Sequence, residues 1–238
     1  ERLFAQPAMA SDSDVTVVCT SCGRWCYLYE TLKSFFQTNS YPVKAVIVAE
    51  DSGLSWMADN IRRHFPQVQL LYDGKRSGLR ARIQQLWALA ETEYVFRLED
   101  DWRFTKPFFI EKSRALLHGD RTLLNVWLRD LDDTNLHPIN PKMHQCSGII
   151  FWRLEWDYNG IWHGFTWNPT LMRAQVVAPV IRAHKPPKAA SVGAEPEIYF
   201  NAYFRNLRLS SAILPGGFVA HLGYYSMITG ENAGVLAK

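Results

Sequence analysis

The sequence predicts an α/β domain in which a mostly parallel central sheet is flanked by helices and followed by a less regular second half. Between residues 15 and 98, four short apolar runs alternate with three segments of helical periodicity, and short loops join them. Such alternation is typical of a parallel sheet covered by helices on both faces. The chain has 238 residues, 47% of them hydrophobic, which is enough to bury a large core.

In the first half, the spacing of apolar residues distinguishes strands from helices clearly. Runs rich in β-branched and apolar residues predict buried strands at 15–19, 45–49, 68–72 and 94–98. Apolar residues at helical spacing predict helices at 25–36, 56–65 and 79–90. Pro42 and Pro66 end the first two helices because proline cannot continue the hydrogen-bond ladder.

The second half gives fewer and shorter signals. Thr105 and Pro107 are typical of the first turn of a helix, which we expect to reach residue 117. Strands are expected at 123–128, 149–152 and 218–222, and a further helix at 195–205. Residues 184–194 contain proline and lysine and are expected to form a mobile loop.

Charge and cysteine content exclude several classes of protein. The net charge of +3 comes from 26 basic and 23 acidic residues that are interspersed, so no nucleic-acid partner is indicated. No apolar run approaches the roughly 18 residues of a membrane span, and we expect a cytoplasmic protein, with any membrane association through its acceptor or partners. The cysteines, Cys19, Cys22, Cys26 and Cys146, lack the spacing of a zinc site, and Cys19 is expected in a strand.

Polar residues follow each of the four predicted strands. In a parallel sheet these positions lie at one edge, where ligands bind in α/β proteins. The positions are Thr20 and Arg24 after the first strand, Asp51 after the second, 73–78 after the third, and Glu99, Asp100 and Asp101 after the fourth. Three adjacent acids resist burial unless a cation accompanies them, and oxygen ligands suit Mg²⁺ or Mn²⁺. The sequence therefore predicts a divalent metal site at this edge, with nearby cations that could neutralise a phosphate.

The order and spacing of these residues over 15–104 resemble the nucleotide-sugar-binding half of GT-A-fold glycosyltransferases, a Rossmann-like fold, and especially the broad family-2-like group. The resemblance implies that Asp51 reads the base of a nucleoside-diphosphate sugar and that Gly78 and Arg82 belong to its arginine-bearing helix. The acidic run resembles the D-x-D motif with Glu99 in the first place. Asp101 is then the expected direct metal ligand, with Glu99 and Asp100 beside it, and Thr20 and Arg24 contact the donor.

Two features of the second half extend the resemblance. The segment Gly193-Ala-Glu-Pro-Glu corresponds to the family's carboxylate that deprotonates the acceptor hydroxyl, so Glu195 is the first candidate base and Glu197 the second. The glycine-rich segment 216–223 resembles the stretch that supplies a histidine to the metal, which makes His221 the expected third ligand. An inverting reaction follows only if one glutamate is the base, and a retaining outcome stays open.

Five of the nine tryptophans fall between residues 127 and 167. Tryptophan stacks well on the apolar faces of sugar rings, although several of these side chains are expected to form core. Trp156 and Trp162 are predicted to line a groove for a saccharide acceptor. A second acidic motif, Asp130-Leu-Asp-Asp, follows another apolar run, and we expect it to bind acceptor or to anchor a loop.

The sequence therefore predicts a single domain in three parts: a lead-in or processing remnant over 1–13, a nucleotide-sugar-binding half over 14–104 and an acceptor-binding half over 105–238. The expected activity is metal-dependent transfer of a sugar to a saccharide or other hydroxyl. One alternative is a sugar nucleotidyltransferase, which needs a glycine-rich phosphate loop after the first strand, where only Gly23 is present. Another is a non-catalytic carbohydrate-binding module, which would not need the acidic run at the sheet edge.

Overall fold

The computed structural model describes residues 9–134, 136–156, 164–183 and 195–223. Within them, the strands in chain order are β1 (Val15–Ser21), β2 (Ala45–Glu50), β3 (Gln69–Leu71), β4 (Tyr94–Glu99), β5 (Trp102–Phe104), β6 (Leu123–Trp127), β7 (His144–Cys146), β8 (Ile149–Arg153), β9 (Thr170–Arg173), β10 (Ser210–Ile213) and β11 (Val219–His221). The helices are α1 (Trp25–Thr38), α2 (Ser55–His64), α3 (Leu79–Leu89), α4 (Phe109–Gly119), α5 (Ala174–Ala183) and α6 (Glu195–Asn206).

Nine of these strands form one sheet in the order β3-β2-β1-β4-β9-β6-β10-β8-β7. Strands β1 to β4 pair in parallel, as do β6 and β10, whereas β8 and β9 run against the others. Strand β9 lies between β4 and β6 and joins the two parallel groups. The predicted α/β class with a mostly parallel sheet is confirmed.

Helices cover both faces of the sheet, and β1 and β2 are therefore buried along their whole length. One apolar core contains side chains of α1, α2 and α4, such as Phe35, Ile61 and Phe109. The core on the opposite face contains side chains of α3, α5 and α6, such as Trp87 and Phe204. These two layers hold the sheet rigid beneath the loops that follow its strands.

The second half contains elements that the sequence pattern does not reveal. Strands β9 and β10 have four residues each, and α5 contains Pro179, so none gives a long periodic signal. They form because β9 pairs with strands on both sides and β10 pairs with β6 and β8. The expected loop at 184–194 lies outside the described residues.

Part of the predicted lead-in contacts the domain. The Ala10 N–H donates to the Val43 carbonyl at 3.1 Å, and the Ser13 hydroxyl donates to the Pro42 carbonyl at 2.7 Å. Residues 9–13 therefore lie along the loop before β2. None of the described helices combines the length and the apolarity that crossing a bilayer requires.

Helix α3 offers a direct test of the packing on one face of the sheet. Trp87 is fully buried on this helix, while Leu89 near its end is 53% exposed. Replacing Trp87 by alanine leaves a large cavity, so we expect the free energy of unfolding to fall by about 3–5 kcal/mol. Leu89→Ala, the matched control, is expected to change it by less than about 0.5 kcal/mol. Urea denaturation of both variants measures the difference, and equal losses would contradict the described packing.

Candidate active site

Strand register brings the predicted site residues to one edge of the sheet. Ser21 pairs with Glu50 across β1 and β2, and Thr20 pairs with Glu99 across β1 and β4. The chain positions that follow these strands therefore lie side by side. We call this place, where β1, β2 and β4 end, the carboxyl edge.

Asp51 and Arg82 form a buried ion pair at the carboxyl edge. Arg82 donates from Nε to Asp51 Oδ1 at 2.9 Å, and the two side chains are 1% and 7% exposed. Asp51 Oδ1 also accepts the Ser77 N–H at 2.7 Å, and Oδ2 accepts the Gly78 N–H at 2.8 Å. Arg82 reaches further to Asp73 Oδ1 at 2.6 Å. Asp51 thus ties the loop before α3 to the end of β2.

This arrangement limits what Asp51 can still bind. A carboxylate offers about four acceptor positions, and the N–H groups of Ser77, Gly78 and Arg82 take three of them. At most one position is left, on Oδ2, which suits a single N–H donor. Gly78 precedes α3 with a φ of 88°, in the left-handed region that favours glycine.

Arg24, just before α1, compensates two of the three adjacent acids. Its guanidinium binds both oxygens of Asp100 and lies 2.9 Å from Asp101 Oδ2 through Nη1. Burial raises the pKa of Asp100 in spite of this partner. Burial acts in the same direction on Asp101, but the hydrogen bond from His221 and the charge of Arg24 outweigh it and lower the Asp101 pKa. Part of the charge compensation that the sequence assigns to a metal therefore comes from Arg24.

The small sheet of β5 and β11 brings His221 to Asp101. The two strands are antiparallel, with His221 opposite Trp102, and the Leu222 N–H donates to the Asp101 carbonyl at 2.7 Å. His221 Nε2 lies 3.4 Å from Asp101 Oδ2, and its ring lies 4.6 Å from that of Trp102. A Cβ at Gly223 would stand 2.5 Å from Asp101 Oδ2, so only glycine permits this approach.

A carboxylate oxygen and an imidazole nitrogen at this separation are a suitable donor pair for Mn²⁺. No group of three His, Cys, Asp or Glu side chains that could hold a metal occurs in the described ranges. A two-residue donor set fits an ion that takes its other ligands from water and from a substrate diphosphate. Arg24 shares Asp101 Oδ2, so a metal here would have to displace or accompany that contact.

A second group of polar residues lies on the face of the sheet that α6 covers. Thr20 is buried, and its Oγ1 accepts a hydrogen bond from Arg97 Nη2 at 2.7 Å. Arg97 Nη2 is 3.9 Å from Glu99 Oε1. Burial raises the pKa of Glu99 to about 7; the charge of Arg97 opposes this shift, and the neighbouring carboxylates of Asp101, Glu197 and Asp100 add to it.

The two candidate bases both belong to α6. Glu195 is its first residue, and its side chain is not among those described. Glu197 Oε1 accepts a hydrogen bond from the backbone N–H of Trp167 at 2.8 Å. Burial raises the pKa of Glu197, while that hydrogen bond and the charge of Arg97 act in the opposite direction. The structure thus places Glu197 in the same electrostatic cluster as Glu99 and Arg97.

The second acidic motif makes local contacts. Asp130 Oδ1 accepts the Leu131 N–H at 2.7 Å, and a Cβ at Gly217 would come within 2.9 Å of Asp130 Oδ2. Asp133 pairs with Arg129 at 2.6 Å. These contacts correspond to the loop-anchoring alternative for this motif.

The two tryptophans assigned to an acceptor groove have different outcomes. Trp156 lines a cavity of about 320 Å³ together with Arg208 and Ser210. Ser210 begins β10, whose direction matches that of β1 and β4, so this cavity lies at the opposite end of the sheet from Asp101. The structure does not bring Trp156 to the other site residues. Trp162 lies outside the described residues.

Two further buried charged residues lie beside the predicted site residues, Glu50 at the end of β2 and Arg97 inside β4. Glu50 is fully buried, and its Oε1 accepts the N–H groups of Gly23 and Ser52 at 3.1 and 2.8 Å. Arg97 is fully buried within β4. A lone charged residue inside an otherwise apolar run was the available signal for Arg97, because a buried strand seldom accommodates a charge without a specific partner.

Comparison with other proteins supports the fold. No protein-family model and no curated protein matches the chain. Solved structures do: GalNAc-T7 with UDP, GalNAc and Mn²⁺ has a TM-score of 0.60 at 12% identity over 91% of this chain. The mannosyltransferase PcManGT from Pyrobaculum calidifontis, in complex with GDP-Man and Mn²⁺, has a TM-score of 0.60 at 13% identity over 94% of the chain. S. aureus TarS has a TM-score of 0.59 at 13% identity over 87%.

These similarities confirm the predicted GT-A-type fold. The chain spans 46%, 62% and 36% of GalNAc-T7, the mannosyltransferase and TarS, respectively, which is less than two thirds of each. At 12–13% identity the likeness concerns the fold.

The buried pair of Arg82 and Asp51 can be compared with an exposed pair of the same kind. Arg82→Ala leaves Asp51 buried without its cation, so we expect the free energy of unfolding to fall by about 3–5 kcal/mol. Arg62 and Asp59 on α2 are 61% and 64% exposed and 3.5 Å apart. Arg62→Ala is expected to cost less than about 1 kcal/mol. Denaturant unfolding of both variants decides, and similar small losses would argue against a stabilising role for the buried pair.

Proposed function

We propose that this chain is a metal-dependent glycosyltransferase that moves a sugar from a nucleoside-diphosphate sugar to a hydroxyl of a saccharide or other acceptor. The observation that carries the proposal is the meeting of Asp101 and His221, 120 positions apart in sequence, at 3.4 Å on the carboxyl edge. A structural carboxylate would be adequately paired by Arg24 alone. The added imidazole, with Gly223 making room for the contact, supports a site built for a cation and its ligand.

The donor nucleotide would lie along the carboxyl edge between Asp51 and Asp101. The last acceptor position of Asp51 would receive one N–H of the base, with Arg82 and Gly78 keeping the loop before α3 in place. Arg24, which already lies at this edge, would also form an ion pair with the diphosphate. Glu99, beside Arg97 rather than Arg24, would face the sugar.

Mn²⁺ or Mg²⁺ would be held by Asp101 and His221 and would offset the charge of the diphosphate as it leaves. Two of the similar solved structures, those of GalNAc-T7 and the mannosyltransferase, contain Mn²⁺, which supports the same choice here. Glu99 remains a predicted third ligand. Arg24 would balance the charge of Asp100 and Asp101 before the cation binds.

Glu197 is the proposed base, and its place near Glu99 and Arg97 supports this role. In the proposed reaction the acceptor oxygen attacks the anomeric carbon, and the bond from that carbon to the diphosphate oxygen breaks. The nucleoside diphosphate leaves with the bonding electrons, and Glu197 takes the hydroxyl proton. Its raised pKa, caused by burial, suits proton acceptance better than that of an exposed carboxylate. Attack by a separate acceptor in this way inverts the anomeric centre.

Nucleotide binding tests the donor side of the proposal. Thermal unfolding would be followed with a panel of nucleoside diphosphates, each with and without Mn²⁺. At a concentration about 100 times its dissociation constant, the correct nucleotide is expected to add about 2.7 kcal/mol of stability, and only when Mn²⁺ is present. If no nucleotide raised the thermal unfolding temperature, with or without Mn²⁺, the proposed function would be contradicted.

The metal ligands can be tested with the chain's own second acidic motif as the control. Asp101→Asn and His221→Gln are each expected to weaken the apparent affinity for the nucleotide in the presence of Mn²⁺ at least tenfold, because each removes a metal donor. The affinity is measured from the stabilisation against thermal unfolding. Asp132→Asn changes an exposed acid of the second motif and is expected to leave the affinity unchanged. A loss of affinity in Asp132→Asn, with none in the other two variants, would assign the metal to the second motif instead.

Substitution at α6 tests the base. Glu197→Gln keeps an oxygen that accepts the Trp167 N–H but cannot take a proton, so kcat is expected to fall by about 10²–10⁴-fold with donor binding retained. Glu195→Gln, made in parallel, is expected to have a small effect. A large loss in Glu195→Gln with an active Glu197→Gln variant would assign the base to Glu195.

A further inference from the structure

Arg97 places a guanidinium in the interior of the sheet. It is fully buried in β4, and its neighbours in sequence, Phe96 and Leu98, belong to the core on the other face of the sheet. Arginine does not lose its proton in proteins, so this charge must be balanced by neighbouring groups. Its Nε and Nη1 have no hydrogen-bond partner within the described ranges. The balance therefore comes from the contacts of Nη2, from the charges nearby and from an aromatic ring.

These contacts connect β4 to the segment that precedes β9. Arg97 Nη2 donates to Thr20 at 2.7 Å, and Glu99 lies 3.9 Å away on the same strand. The guanidinium lies 5.7 Å from the centre of the Trp167 ring, a distance at which a cation is attracted to the face of an indole. Trp167 is itself 5% exposed, so solvent does not weaken the interaction.

Trp167 is in turn fixed to α6 in two ways. Its backbone N–H donates to Glu197 Oε1 at 2.8 Å. Its ring packs at 87° against that of Phe200, with the centroids 5.5 Å apart. A continuous series of buried contacts thus runs from the β4 guanidinium through Trp167 to the carboxylate of Glu197.

We propose that Arg97 is a positioning residue that acts through Trp167 to hold the Glu197 carboxylate toward the carboxyl edge. The inference rests on the proposed function, because Glu197 matters here as the base. It goes further in assigning a role to a residue that touches neither the donor nor the metal. Arg97 attracts the Glu197 carboxylate electrostatically and fixes the ring of Trp167, a residue whose backbone N–H donates to that carboxylate.

Replacement of Arg97 by methionine separates positioning from folding. Methionine fills much of the space of the arginine side chain, and Glu99, the carboxylate 3.9 Å away, is 28% exposed, so water can solvate it when the cation is lost. Arg97→Met is therefore expected to fold. Its kcat is expected to fall at least tenfold, while stabilisation by nucleotide and Mn²⁺ changes less than threefold. Arg97→Lys restores a cation and is expected to recover part of kcat. Arg103→Met, which changes an arginine that is 54% exposed on β5, is the control and is expected to retain full activity.

A double variant provides the decisive measurement. If Arg97 acts through Glu197, adding Arg97→Met to Glu197→Gln is expected to lower kcat no further than Glu197→Gln alone. Multiplicative losses would show that Arg97 contributes by another route and overturn the inference. Should Arg97→Met fail to fold, Trp167→Phe keeps the backbone N–H and weakens only the ring contact, and its kcat is expected to fall in the same non-additive way.

The failure of this inference can be told apart from failure of the proposed function. A wild-type chain without nucleotide binding and sugar transfer would remove the proposed function itself. An active wild-type chain whose Arg97→Met variant folds and keeps its kcat would remove only the positioning role. Full activity in Arg97→Met, Arg97→Lys and Trp167→Phe together would leave Glu197 as the base but without this support.

Discussion

Buried carboxylates at the carboxyl edge are stable only where cations or N–H groups compensate their charge, and the rest of the site depends on this constraint. Each cation comes from a different element: Arg24 precedes α1, Arg82 lies on α3 and Arg97 lies on β4. Arg82 forms an ion pair with Asp51, Arg24 forms ion pairs with Asp100 and Asp101, and Arg97 lies near Glu99. The electrostatic demand of the acids thus fixes how helices and loops meet the sheet.

Compensation by Arg24 has a consequence for cation binding. Because Asp101 already has a guanidinium partner, a divalent ion gains less from this carboxylate than it would from an unpaired one. The diphosphate supplies the missing attraction, since its negative charge binds the ion and gives Arg24 an alternative partner. Cation and nucleotide are therefore expected to bind cooperatively, each raising the affinity for the other by the same factor.

The fold was predictable where secondary structure has a local cause. Strands β1, β2 and β4 are apolar runs buried on both faces, and helices between them carry clear periodicity, so the sequence alone indicates the parallel half. Strands β9 and β10 have no such signal: Thr170–Arg173 and Ser210–Ile213 are short, and each exists through its pairing partners. Non-local pairing is what single-sequence patterns cannot express.

The same distinction separates the site residues. Asp51, Asp101 and Glu99 could be expected at one edge because parallel register aligns the ends of consecutive strands. The depth of Arg97 within the sheet was not expected, and neither was the place of Trp156 at the opposite end, since both depend on what packs against them. Composition indicates that a tryptophan suits a sugar, but only tertiary structure decides which tryptophan can meet one. Arg97 differs from Trp156 because a charge inside an apolar strand is costly wherever it lies, so the sequence alone marks a position where a specific partner must exist.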